Sequence, residues 1–104
     1  MENDLSQENL SHELNTTFIV KQENGDLPLQ LTEVSARKLG DQRNEEFSII
    51  FRGPSDRSLG QGMQRMEHPR FGEFDLFMVP IRQDGDGLYY EAVFNRFLDQ
   101  ANAH

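Results

Sequence analysis

The chain contains neither cysteine nor tryptophan among its 104 residues. Without cysteine there are no disulfide bridges, no thiolate nucleophile and no cysteine-ligated zinc site. The same absence fits a reducing compartment. Positive charge is also scarce: 10 basic residues face 18 acidic ones, for a formal net charge of −8. Division after Arg52 gives 10 acids and 5 bases, then 8 acids and 5 bases, so no basic half hides beneath the average. A field of this sign repels phosphate and argues against a sequence-independent nucleic-acid binder. Only a local arginine patch remains open, since six of the ten bases lie at or beyond Arg52. No apolar run approaches the ~18 residues of a membrane helix. Met1-Glu2-Asn3-Asp4 has neither the basic nor the apolar region of a signal peptide. The expectation is a soluble, cytoplasmic protein with no membrane or nucleic-acid partner.

A chain this long is expected to form one domain and to bury roughly 65% of its unfolded surface. Eight phenylalanines supply most of the bulk for the core. The most informative segment runs from His68 to Asn95. It holds His68-Pro69-Arg70-Phe71-Gly72 and the apolar run Phe74 to Ile81. The turn Asp84-Gly85-Asp86-Gly87 and the second run Tyr89 to Asn95 follow. Two apolar runs around a turn signal predict a β-hairpin. The first run is apolar at both parities, which predicts a strand buried on both faces.

The rest of the chain continues in the same manner. Asp4 to Leu14 reads as a short helix, with Asp4 as cap, Gln7 returning the bond, and Leu10 and Leu14 on one face. Period-two alternation then predicts strands at Thr17 to Lys21 and at Leu27 to Val34, joined by the turn Asn24-Gly25-Asp26. Pro28 favours a strand start or an edge. Ser35 to Glu46 reads as a loop. Phe47, Ile49 and Phe51 share one face of a further strand, with Ser48 and Arg52 on the other. Met63 to Glu67 is a short strand with Met63 and either Arg65 or Met66 inward. Asn95 to His104 reads as a tail that frays into a turn or short helix. Six short strands and one helix predict an all-β fold: a six-stranded antiparallel barrel or sandwich with the helix packed on it. The single domain divides into a helix over 1–14, the β-structure over 15–96 and a tail over 97–104.

Candidate chemistry is sparse. His68 is the only histidine within the strand region, and a general base needs an orienting partner such as Glu67, Asp75 or Glu91. The turn reading is simpler: Pro69 holds His68 extended and Gly72 permits a positive φ. Asp84-Gly85-Asp86-Gly87 resembles the start of a calcium loop, but Leu88, Tyr89 and Tyr90 follow and Asn95 stands where a bidentate glutamate is required. No metal site is expected. The loop of Gly53, Pro54, Ser55, Asp56, Arg57, Gly60 and Gly62 lacks the Gly-Lys-Ser/Thr ending of a phosphate loop. Ser48, Ser55 and Ser58 lack a Gly-x-Ser-x-Gly context. That loop is either a mobile connection or a candidate partner-contact surface. Glu91 sits in an apolar strand beside Tyr89, Val93 and Asn95. It is either paired with Arg52, Arg82 or Arg96, or on a solvated face, or a polar anchor, with His68, inside a ligand cavity. Phe71, Phe74, Phe77, Tyr90 and Phe94 fit core packing better than a pocket lining, with an interface open to a few of them, and Met63, Met66 and Met78 suit either a core or an adaptable interface.

The segment from Phe18 to Asn95 resembles a family of small, uncharacterised bacterial single-domain proteins. The landmarks are Phe18, Leu29-x-Leu31-x-Glu33-Val34 and Phe47-Ser48-Ile49-x-Phe51-x-Gly53-Pro54. Gln61-Gly62, His68-Pro69-x-x-Gly72, Leu76-Phe77-x-Val79-Pro80 and Tyr90-Glu91-Ala92-Val93-Phe94-Asn95 complete the set. The resemblance implies no activity. Some members look as if they neighbour genes for phage-tail-collar-like proteins, which implies an assembly or accessory role.

The sequence thus leads to a non-catalytic protein-interaction or assembly module, monomeric or homodimeric, with no cofactor and an unidentified protein partner. A small barrel holding an apolar ligand is the first alternative. A small hydrolase using His68 with Glu91 or Asp75 is the second.

Overall fold

Six strands follow one short helix in a computed structural model that describes residues 4–36 and 44–97. In chain order they are α1 (Gln7–Ser11), β1 (Thr17–Val20), β2 (Leu27–Ala36), β3 (Asn44–Gly53), β4 (Gly62–His68), β5 (Gly72–Asp84) and β6 (Gly87–Phe97). Every pairing is antiparallel. The order β1-β2-β3-β6-β5-β4 closes through a β1–β4 ladder at Ile19↔Glu67 and Val20↔Met66. The fold is therefore a closed barrel and not a sandwich. Among the described residues no helix is long and apolar enough to cross a membrane.

Strand alternation sends every second side chain inward. Phe18 and Val20, Leu27, Leu29 and Leu31, Phe47, Ile49 and Phe51, and Tyr90 and Ala92 form one buried cluster, joined by Met66, Leu76 and Met78. The central ladder fixes these rows, with Phe51 opposite both Leu31 and Tyr90, and Ile49 opposite Ala92. Bulges between Leu31 and Glu33 and between Pro80 and Arg82 bend β2 and β5, as closure of so small a sheet requires. After the first bulge Val34 resumes the inward row opposite Ile49.

Closure also explains where the structure departs from the sequence reading. A barrel wall is one layer thick, so β5 is not buried on both faces. Leu76 and Met78 point inward, whereas Phe77 and Ile81 are 47% and 39% exposed. In β4 the inward residues are Met66 and His68. Met63, three positions from Met66 and hence on the opposite face, is 64% exposed and not inward. The helix is shorter than expected. Ser6, not Asp4, is the N-cap, its hydroxyl accepting from the Asn9 N–H at 3.1 Å. The helix stops at Ser11, and Asn15 turns the chain at φ 71° into β1. Leu10 is thereby buried in the core while Leu14 stays 38% exposed. Ser35, Ala36 and the stretch from Asn44 to Glu46 extend strands instead of forming a loop, and Asn95 to Phe97 continue β6 instead of fraying. The remainder of that loop, 37–43, and of that tail, 98–104, lies outside the described residues, as does Met1-Glu2-Asn3.

The β5–β6 turn is as expected from its Asp-Gly signals. Asp84 pairs with Gly87 across Gly85-Asp86, and the Asp84 carboxylate accepts from the Asp86 N–H at 2.8 Å. Gly87 has φ 146°, and a Cβ there would strike the Gly53 carbonyl oxygen and lie 3.3 Å from Arg52 Cγ. Gly85 has open space around it and no positive φ. Gly87→Ala is expected to destabilise the fold by about 1–3 kcal/mol, and Gly85→Ala to stay within about 0.5 kcal/mol of the parent. Urea denaturation of both variants checks this; equal effects would contradict the assigned turn.

Candidate functional site

The Gly53-to-Gly62 loop is fastened at two points. The Arg57 guanidinium donates to Gln22 Oε1 at 2.7 Å, to Asn24 Oδ1 at 3.1 Å and to the Gly25 carbonyl, tying the loop to the β1–β2 turn. The Leu59 N–H donates to the hydroxyl of the fully buried Tyr90 at 3.0 Å. Gly53 is buried because Leu29 packs where its Cβ would stand. Pro54, Ser55 and Asp56 are exposed at the tip, and Gly60 and Gly62 are half-buried. Gly53 and Pro54 border a shallow hollow of about 250 Å³ with Arg52 and Asp86.

Glu91 does not face the interior. Inward positions of β6 are Tyr90, Ala92 and Phe94, so Glu91 points outward, between Ile50 of β3 and Val79 of β5. The structure does not bring it together with His68, which lies inward at the end of β4. Its expected arginines lie elsewhere. Arg52 donates to Gln30 Oε1, and the Arg82 guanidinium lies 4.0 Å from the centre of the Tyr89 ring. Arg96 belongs to a stretch whose side chains are not described. Among the described residues Glu91 has no ion-pair partner, whereas several carboxylates elsewhere on the outer face do. Arg65 holds Glu73 and Asp75, both at 3.2 Å, and Lys21 holds Asp26 at 2.9 Å and Glu67 at 3.5 Å.

An apolar strip runs across the outer wall around Glu91. Met63 of β4 lies directly opposite Phe77 of β5. Val79, two residues on, is opposite Glu91, and Glu91 is opposite Ile50. Val93, two residues past Glu91, is 51% exposed. Sequence reading left an interface open to Met63 and to a few of the aromatics but did not find the strip, because it read β5 as buried on both faces. The signal was present: a doubly apolar strand in a single-walled barrel leaves half of its side chains outside.

His68 is 4% exposed and anchors a polar cluster at the end of the barrel next to α1. Its Nδ1 accepts from the Arg70 N–H at 3.0 Å, so in the neutral ring the proton sits on Nε2. That N–H faces Thr16 Oγ1 at 3.0 Å, and the Thr16 hydroxyl in turn donates to the Glu13 carbonyl at 2.7 Å. The Glu13 carboxylate lies 3.6 Å from Nε2 and 3.1 Å from the Arg70 guanidinium, which also donates to Asn9 Oδ1 at 2.9 Å. The ring stacks on Phe18 with centroids 4.1 Å apart. Both ring nitrogens are thus committed to protein partners. Of the carboxylates sequence reading offered His68, Glu67 and Asp75 point outward to Lys21 and Arg65. The nearby one is Glu13, 55 residues away in the chain, and no spacing rule could have found it. A hollow of about 370 Å³ lined by Ile19, Glu67, His68, Pro69 and Gly72 opens beside this cluster.

The chemistry of the cluster is that of a fastener. It ties α1 and the residues after it to the β4–β5 turn. Burial holds the His68 pKa below the ordinary histidine value; the nearby Arg70 guanidinium lowers it further and Glu13 acts in the opposite sense. The unfolded chain, with an ordinary histidine near ~6.5, therefore binds the proton more readily than the folded one. Stability from this site is complete above about pH 6.5 and declines as pH falls below it. Urea unfolding between pH 8 and pH 5 is expected to show this decline, and His68→Gln to remove that part of it. An identical pH slope in the variant would contradict the assignment.

Comparison with known proteins bears on the whole barrel. No curated protein and no solved structure matches the chain. One family model does, that of the Domain of unknown function (DUF6916), over residues 5–94. The match runs from Leu5, just before α1, to Phe94 in β6, and so takes in the helix, its polar fastener and all six strands. The chain belongs to this family of uncharacterised domains.

Proposed function

We propose that this barrel is a non-catalytic protein-interaction module, acting in the bacterial cytoplasm as an accessory to phage-tail-like or surface assemblies. The observation that carries the reading is the exposed apolar strip of Met63, Phe77 and Val93 on the outside of a barrel whose inside is filled. Exposed apolar side chains grouped on one wall of a small acidic domain cost solubility and are retained where a partner covers them. Phe18, Phe47, Phe51 and Tyr90 are all fully buried and occupy the space an enclosed ligand needs. His68 has both ring nitrogens engaged, which favours a structural role over base catalysis.

The test is capture of a stoichiometric partner from the native organism by the tagged full chain, compared with a Met63→Ser, Phe77→Ser double variant. Both side chains are largely outside the core, so the variant is expected to keep its unfolding midpoint while losing the partner. Retention of the same partner by the variant, or recovery of the parent alone, would overturn the reading.

A further inference from the structure

The barrel wall parts on one side, at the apolar strip. β5 pairs with β6 only from Val79↔Glu91 to Asp84↔Gly87. Beyond Glu91, β6 continues to Phe97 against β3 alone, and β5 before Val79 runs against β4 alone. Among the described residues no strand pairs with the β5-facing edge of Ala92–Phe97 or with the β6-facing edge of Gly72–Met78. Phe77 and Val93, exposed on the outer side of the parting, stand two residues beyond the last pair, Val79↔Glu91. Phe74 and Phe94, half-buried against the core, belong to the inward rows on its inner side. Glu91 stands at the point where the two strands separate.

We propose that this parting receives an extended, lysine- or arginine-bearing segment of another protein, which adds as a strand to the free edge of β6. The inference rests on the interaction-module reading and names the partner's chemistry. Three features of the parting specify that chemistry. Free strand edges offer backbone donors and acceptors that only another extended chain can satisfy along their length. Apolar side chains on both sides of the edge call for apolar residues at both parities of the incoming strand. Among the described residues Glu91, at the head of the parting, has no cation, while Asp75, Glu73 and Glu67 have theirs. A positive residue beside it completes the pattern, and the net charge of −8 draws such a segment in. A second copy of this chain brings the same acidic surface and meets repulsion instead.

The experiment uses the purified full chain with two synthetic peptides. One alternates valine and threonine and ends in lysine on both sides; the other has glutamate in place of lysine. Backbone hydrogen exchange is followed with each. The lysine peptide is expected to slow exchange in Ala92–Phe97 and Gly72–Met78, and the glutamate peptide to leave both unchanged. Phe77→Ser is expected to weaken binding of the lysine peptide by about tenfold, the loss of one aromatic anchor. Glu91→Gln is expected to flatten its salt dependence. Equal binding of both peptides, binding without added amide protection, or binding of neither would overturn the proposal. Concentration-dependent self-association that protects the same amides would overturn it in favour of a second copy. None of these results depends on capture of the native partner, so the proposal and the broader reading can fail separately.

Discussion

Closing six strands into a barrel leaves little room inside. Eight strands give an interior just wide enough for side chains to fill, and six give less. The inward positions here hold Tyr90, Phe18, Phe47, Phe51 and a set of aliphatic residues, all buried in one cluster. Phe18 and Phe51 meet edge to face at 5.1 Å, and Phe47 and Phe94 stack at 4.7 Å, geometries that aromatic rings favour. The bulges bend β2 and β5 enough for the ladder to meet itself. Glycine at 87 lets the β5–β6 turn come up against the Gly53 carbonyl. With the interior taken by the chain's own rings, the outer wall and the barrel ends are the surfaces left for anything else.

The end beside α1 is closed by polar groups as well as apolar ones. Leu10 enters the core, but a five-residue helix has too few turns to hold itself in place. The Asn9–Arg70 and Glu13–Arg70 contacts and the Arg70–His68–Thr16–Glu13 hydrogen-bond chain supply the attachment. A buried imidazole is expensive unless both nitrogens are satisfied, and here each has a partner. The same burial disfavours the charged form of the ring and holds its pKa down.

Much of the fold was legible because strands carry a period of two and turns carry glycine, asparagine and aspartate. The six strands, the rows Leu27-Leu29-Leu31 and Phe47-Ile49-Phe51, and the Asp84-to-Gly87 turn all follow from that pattern. What was not legible falls into two kinds. Long-range polar contacts such as Glu13 with Arg70 join residues far apart in the chain, and only the barrel's closure brings them together. The facing of ambiguous positions is the other kind. Met63 and Met66 are equally apolar, and no local rule says which turns inward. Phe77 and Met78 are adjacent and apolar, so local pattern cannot say that one of them stays in water. The apolar strip was invisible as a strip because each of its members had a plausible place in the core.

The same ambiguity explains why the wall parts where it does. A strand that is apolar at both parities suits two environments: a doubly covered sheet, or a wall whose outer face has something against it. β5 sits in a single wall, with the bulge at Pro80–Arg82 redirecting it from β4 toward β6 midway along its length. Up to Met78 its paired neighbour is β4 and from Val79 onward it is β6, so Gly72–Met78 of β5 and Ala92–Phe97 of β6 are left with unpaired facing edges. Sheet edges in soluble proteins are ordinarily guarded by charge, proline or a bulge. Pro80 and the bulge stand on the paired side; on the unpaired side Glu73 and Asp75 are neutralised by Arg65, and Phe77 and Val93 are exposed. An open seam that sets exposed Phe77 and Val93 beside an unmatched carboxylate has the character of a site for a strand from elsewhere.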